Sequence, residues 1–113
     1  MTHTPVRIEQ RDPRFLEAYG PLALDRRSRA SALTDLAGGF AEFTDSTPAE
    51  PATLPYEELL YVIEGEVTLT VGDQVIVGST GDFITLEKGA TVVFAGTAGT
   101  RLFYAVSPAD WEH

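Results

Sequence analysis

The chain carries few side chains able to do chemistry. It has no cysteine, and its two histidines, His3 and His113, stand at the ends. Thiolate nucleophiles, disulfides and Ser/His or Cys/His pairs for acyl transfer are therefore off the menu. Gly78-Ser79-Thr80-Gly81 lacks the lysine and following helix of a phosphate loop, and Gly38-Gly39 is a lone pair far from a dinucleotide fingerprint. What remains is carboxylates and phenols, chiefly Glu42, Glu57, Glu58, Tyr56 and Tyr104. A carboxyl group in apolar surroundings has its charged form disfavoured, so its pKa rises and it can exchange protons near neutrality. A phenol beside it can polarise a carbonyl or relay a proton. Such equipment suits dehydration, isomerisation, epimerisation or acid-assisted cyclisation of a small molecule, with no metal or cofactor.

Each of these residues also has a purely structural reading. Glu57 and Glu58 are adjacent, so on a strand they face opposite sides, and Glu57 reads as a solvated surface charge. Tyr56 and Tyr104 can be core residues whose hydroxyls reach a backbone partner. Phe15, Phe40, Phe43 and Phe94 read as core fillers in the same sense, and Trp111 as packing for the tail or an interface.

The elements that must position these groups are short and β-rich. The runs are 33–36, 39–44, 58–64, 66–71, 74–77, 83–86, 91–95 and 101–107, parted by Gly, Asp, Ser and Pro clusters. Gly72-Asp73 has the look of a two-residue hairpin loop. The prolines at 48, 51 and 55 make 44–55 a loop or an edge. Many short antiparallel strands must hide their edges, and a jelly-roll barrel is one way to do so. An all-β barrel or sandwich over 33–113 is the expected domain, of ordinary size for a chain of 113 residues. With the strand read over 58–64 and the residues just before it, Tyr56, Glu58, Leu60 and Val62 share a side. By the same parity Leu102, Tyr104 and Val106 share one side, as do Phe40 and Glu42, and as do Phe83 and Thr85; Tyr104 is taken as inward.

Residues 1–32 read as an irregular arm punctuated by Asp12-Pro13 and Gly20-Pro21, with a short helix over 13–19 capped by Asp12. The arm carries six arginines against four acids, while 33–113 carry two cations against thirteen acids. A basic arm on an acidic body is expected to pack on that body, within one chain or across a homodimer. The net charge of -9 argues against nucleic acid as a partner. No apolar run has the length of a signal peptide core or a membrane span, so a cytoplasmic protein with a small-molecule partner is expected.

The stretch Pro55-Tyr-Glu-Glu-Leu-Leu-Tyr-Val-Ile-Glu-Gly65 resembles the first motif of the cupin superfamily, in which a glutamate precedes a glycine by seven positions. Gly81-Asp-Phe-Ile-Thr-Leu-Glu-Lys-Gly89 is similar to the second motif, with Glu87 where that pattern has proline. Within the cupins, the resemblance is to the ethanolamine-utilisation protein EutQ and its small stand-alone relatives. It rests on Ala37–Phe43, Thr53–Glu58, Tyr61–Gly65 and the tail Arg101–Trp111, whose Pro-Ala-Asp-Trp is the most diagnostic piece. The full-length EutQ proteins have an extra N-terminal region, and the resemblance does not extend to it.

The resemblance implies a cupin barrel, a double-stranded β-helix, with Glu58 pointing inward where a ligand glutamate would stand. It also implies a departure. The histidine slots of the cupin motifs hold Ala52 and Leu54, or Pro51 and Thr53, and Val92. One carboxylate beside apolar residues cannot supply the three or four converging donors of a transition-metal site, so no metal is expected. The expected cup then has Glu58, Tyr56 and Tyr104 as its acid–base groups. Its expected lining is Glu42, Phe40, Thr53, Leu54, Leu60, Phe83, Val92 and Phe94. Two other functions compete with metal-free catalysis in this cup. One is the acetate kinase activity known in the EutQ family, and the other is a non-catalytic ligand-binding module.

Overall fold

Antiparallel strands make up most of the computed structural model, which describes residues 6–109. In chain order they are β1 (Glu17–Tyr19), β2 (Leu22–Asp25), β3 (Ala37–Phe43), β4 (Ala52–Thr53) and β5 (Glu57–Glu64). There follow β6 (Glu66–Val71), β7 (Gln74–Ser79), β8 (Phe83–Leu86), β9 (Thr91–Gly96) and β10 (Arg101–Ser107). They form a six-stranded sheet in the order β1-β2-β3-β10-β5-β8 and a four-stranded sheet in the order β4-β9-β6-β7.

Alternation explains why these segments are strands. In β5, Glu58, Leu60 and Val62 are buried while Glu57, Leu59 and Tyr61 are exposed, a period of two with one face inside. Val67 and Leu69 of β6 and Leu102 and Val106 of β10 repeat the pattern. These inner faces meet to form the core. Val62, Val67 and Val92 retain no exposed surface, and burying each contributes about 1.5–3 kcal/mol.

Gly65 and Gly39 are among the tight spots that need glycine. Gly65, between β5 and β6, has φ 99°, and a Cβ there would collide with the side chain of Thr100. Buried Thr100 occupies that space, its hydroxyl accepting from the Glu66 N–H and donating to the Glu66 carbonyl. Gly39 lies so close to the Asp25 carbonyl oxygen that a Cβ would overlap it. That contact is where β2 joins β3.

The β2–β3 pairing corrects the expectation of an irregular arm. Residues 17–25 form a hairpin through the two-residue loop Gly20-Pro21, and β2 adds to the six-stranded sheet. Leu22 and Leu24 line the cavity between the sheets while Ala23 and Asp25 are buried on the opposite face, an alternation too short to stand out in the sequence. The expected helix over 13–19 is a single 3-10 turn, Pro13–Phe15, with the Asp12 carboxylate accepting the Arg14 N–H at 3.0 Å. Phe15 is 52% exposed and stacks beneath Arg27 instead of filling the core. Residues 33–36 are not a strand; they bend between a second 3-10 turn, Arg27–Ala30, and β3, with Leu33 and Leu36 exposed. The proline-rich 44–55 segment is a loop holding the two-residue edge strand β4. His3, Trp111 and His113 fall outside the described residues.

Candidate functional site

A cavity of about 560 Å³ opens between the two sheets beneath the β1–β2 hairpin. Glu58, Tyr56 and Tyr104 all line it. Their placement follows from register. Glu58 stands opposite Val106 on β10 and opposite Leu86 on β8, with Leu60 next along the same face. All three neighbours are apolar and buried, and Glu58 itself is only 8% exposed. Tyr104 pairs with Leu60, one step along this inner face from Val106. Tyr56 precedes β5 with the same parity and packs against the core.

The electrostatics follow from that dryness. Burial raises the Glu58 pKa to about 7, so the carboxyl exchanges its proton around neutral pH. Burial also raises the Tyr56 phenol above its ordinary value, and the nearby Glu58 charge adds to the effect. The phenol therefore stays protonated and serves as a hydrogen-bond donor. A proton-exchanging carboxyl beside a permanent donor can move a proton at one atom of a ligand while holding an oxygen at another.

Of the other residues expected to line the cup, Leu54, Leu60 and Phe94 do so, and exposed Thr53 sits at its open side, hydrogen-bonded to the Thr91 hydroxyl at 2.8 Å. Val92 is fully buried in the core and does not reach the cavity. Phe40, Glu42 and Phe83 are corrected outright. Buried Ala41 and Phe43 take the inner side of β3, which turns Phe40 and Glu42 outward. Glu42 is ion-paired there to Arg11 at 3.3 Å. On β8, Ile84 and Leu86 face in and Phe83 is 64% exposed. Phe40, Phe103, Tyr61 and Phe83 form a cross-strand aromatic row on the outer face, the first two edge-to-face at 6.3 Å.

The sequence reading missed the contribution of the first thirty residues. Leu22 and Leu24 of β2 form a wall of the cavity, and half-buried Arg26 and exposed Arg29 line it as well. The signal was available in the Leu22-x-Leu24 alternation, but the strand that carries it is 4 residues long. A second, more open groove of about 760 Å³ runs over the arm. Among the arginines that line it, Arg7 pairs with Glu9 at 2.9 Å, Arg14 with Asp12 at 2.6 Å, Arg27 with Asp25 at 2.7 Å, Arg29 with Glu17 at 3.5 Å and Arg11 with Glu42 of β3 at 3.3 Å. That groove is charge-matched packing.

The residues around Glu58 do not fit the resident metal of a cupin. Whether the first two histidine slots are Ala52 and Leu54 or Pro51 and Thr53, none of these side chains is a nitrogen, sulfur or carboxylate ligand, and buried Val92 fills the third. Among the described residues no three His, Cys, Asp or Glu side chains converge. Among them, too, no helix is long and apolar enough to cross a membrane.

The architecture and sequence can be set beside known proteins. The family model for ethanolamine utilisation protein EutQ matches residues 27–113. A curated relative, acetate kinase EutQ of Escherichia coli strain K12, is 29% identical over 79 residues, covering 70% of this chain and 33% of its own length. The chain thus spans about a third of that relative. The structure of the Clostridium difficile EutQ protein superposes with a TM-score of 0.69 at 27% identity, over 80% of this chain and 64% of that one. A cupin 2 conserved barrel domain protein from Salinispora arenicola CNS-205 gives a TM-score of 0.76 at 16% identity, over 95% and 92% of the two chains. With the barrel, its inward glutamate and this match over most of the sequence, the chain belongs to the EutQ family and has the all-β cupin fold.

Proposed function

We propose that this cupin binds a small organic molecule in its cup and transforms it by metal-independent acid–base chemistry centred on Glu58. The observation that carries this reading is a carboxyl group raised to about 7 by burial inside a cavity of about 560 Å³. Structural carboxylates are seldom kept in such surroundings, because the charged form is disfavoured there without a partner. In this reading Glu58 accepts a proton from one carbon or oxygen of the ligand and returns it to another. Tyr56 and Tyr104 hold an oxygen of the ligand during that transfer. The apolar walls exclude water, so a dehydration, isomerisation or cyclisation proceeds without competing hydrolysis.

The test is turnover of a mixture of small hydroxy acids, enones and ketones by the wild type and by Glu58→Gln, followed by mass spectrometry and proton NMR. General acid–base catalysis contributes about 10²–10⁴-fold, so product formation is expected to fall by at least about a hundredfold in the variant. Equal turnover by both proteins would overturn the assignment.

A second reading takes the activity from the relatives named acetate kinase. The sequence match is the observation that favours it. Phosphoryl transfer needs phosphate-binding amides, cations and a magnesium site. Among the described residues, Arg26 and Arg29 are the cations that line the cavity. Acetyl phosphate formed from acetate and ATP, and lost in Arg26→Gln, would put this reading ahead of the first.

A further inference from the structure

The four-stranded sheet ends on an open edge. β7 pairs with β6 along Gln74–Ser79, and among the described residues no strand lies on its other side. Val75, Ile76 and Val77 are 63%, 45% and 53% exposed, so three consecutive apolar side chains stand in water on both faces of one strand. Unpaired sheet edges are commonly blunted by lysine, proline or a bulge. Residues 74–81 hold no charge and no proline, and the pairing with β6 runs without a register shift. The direction of the free backbone groups follows from the end of the ladder, where Ser79 stands opposite Glu66. The Ser79 N–H donates to the Asp82 carboxylate at 2.8 Å, and its carbonyl accepts the Asp82 N–H at 2.9 Å. Glu66 likewise gives its N–H to the Thr100 hydroxyl and takes the Thr97 N–H, so both residues turn away from each other. Bonded and non-bonded positions alternate along an antiparallel pair. Val77 and Val75 therefore also turn their N–H and carbonyl groups away from β6. Among the described residues nothing pairs with them.

We propose that β7 is the seam of a homodimer, pairing antiparallel with β7 of a second copy about a two-fold axis at Ile76. That register sets Val75 against the partner's Val77, and these two exchange the N–H and carbonyl groups that β6 leaves free. Symmetry repeats the exchange on the other side of the axis, where Ile76 meets its own copy. The ladder stops at Ser79, whose groups Asp82 already holds. The two four-stranded sheets then run on as one continuous sheet. A second copy is the occupant for two reasons. First, free backbone groups placed symmetrically about Ile76 make this edge complementary to itself. Second, the chain carries a net charge of -9, so two copies repel wherever charge meets charge. β7 offers a strip without any. Asp73 and Asp82 stand at its two ends, where their repulsion across the seam is screened by salt. The strip is short, so the interface falls at the small end of the range, below about 1,200 Å² in total. A reversible dimer follows, with a Kd on the order of 10–100 µM.

Sedimentation velocity of the full chain reads the association, from about 5 to about 500 µM in about 0.5 M sodium chloride. The wild type is expected to pass from monomer to dimer across that range. Val75→Glu/Val77→Glu sets like charges against each other across the seam and is expected to weaken the dimer at least about tenfold. Val75→Lys/Val77→Glu sets a lysine against a glutamate in this register and is expected to recover most of the loss. Amide hydrogen exchange of the wild type gives a reading that needs no variant to fold. The Val75 and Val77 amides are expected to exchange about threefold more slowly at about 500 µM than at about 20 µM. The edge amides of β8, on the other sheet, are expected to keep their rates. A wild type still monomeric at about 500 µM would overturn the proposal. So would a dimer that the two glutamates leave intact, or unchanged exchange at Val75 and Val77 on dimerisation, since the contact would then lie on another surface. A lysine–glutamate variant as weak as the double glutamate would overturn the register about Ile76.

Discussion

The Asp25 carboxylate accepts the Arg27 Nε–H at 2.7 Å, with the two side chains 1% and 17% exposed. Its other oxygen accepts the Asp12 backbone N–H at 3.2 Å. This one side chain therefore ties β2, the 3-10 turn after it and the start of the arm into a unit, and it does so against the outer face of β3. The same unit presents Leu22, Leu24 and Arg26 to the cavity on its other side. Removing the acid leaves the Arg27 Nε–H and the Asp12 backbone N–H without this acceptor, while Arg27 keeps Glu9 at 3.8 Å and the Gln10 carbonyl at 3.4 Å. Breaking a buried pair in this way costs about 3–5 kcal/mol. Asp25→Ala is expected to lower the urea midpoint accordingly and to weaken ligand binding in the cup, both read in a single titration series.

Glu58 makes the stability of the barrel fall with pH over a defined window. Its folded pKa is about 7 against an ordinary value of 4.5, so between those values the folded state holds a proton that the unfolded chain has released. The contribution is fully present below about pH 4.5 and is lost as pH rises through about 7. The shift corresponds to about 3 kcal/mol. Glu58→Gln is therefore expected to match the wild type at pH 4 and to exceed it by up to about 3 kcal/mol at pH 8. Urea unfolding of both proteins at the two pH values measures the difference, and other titrating groups cancel in the comparison.

Tyr56 is held in its protonated form by burial and by the charge of Glu58. Its phenol is expected to remain un-ionised at about pH 11, above the ordinary tyrosine value. The absorbance at 295 nm of the wild type minus that of Tyr56→Phe should show no phenolate signal at that pH while the protein stays folded. A phenolate step near pH 10 in that difference would mean that the ring is solvated.

The two faces of the six-stranded sheet should respond differently to substitution. Leu60→Ala opens the floor of the cup and is expected to cost about 2–5 kcal/mol. It should also change the affinity for the neutral fluorescent dye N-phenyl-1-naphthylamine. Phe83→Thr, on the outer face, is expected to leave the affinity unchanged and stability within about 0.5 kcal/mol. Dye titration and thermal melting of the two variants check both halves of the statement.

Local pattern was enough to read much of this protein from its residues alone. The limits of β6, β8 and β10 follow from their bounding turns, and the Gly72-Asp73 hairpin from its two residues, because alternation and turn chemistry are local. The parity that puts Glu58 with Leu60 and Tyr56 is equally local, and so is the lack of histidines where cupin ligands stand. Which parity points inward is not local. On β3 and β8 it was decided by which side chains the opposite sheet could bury, and Phe40, Glu42 and Phe83 lost that competition to Ala41, Phe43, Ile84 and Leu86. The cup's wall at Leu22 and Leu24 and its cation at Arg26 depend on β2 pairing with β3 across fourteen or more residues of chain. Nothing in a four-residue stretch encodes a partner that far away; the pairing exists because the exposed edge of β3 and the glycine gap at Gly39 accept it. The sequence determined the chemical groups and the strands that carry them, and the tertiary structure alone decided which of those groups share a cavity, since burial belongs to the assembled sheets and not to any single strand.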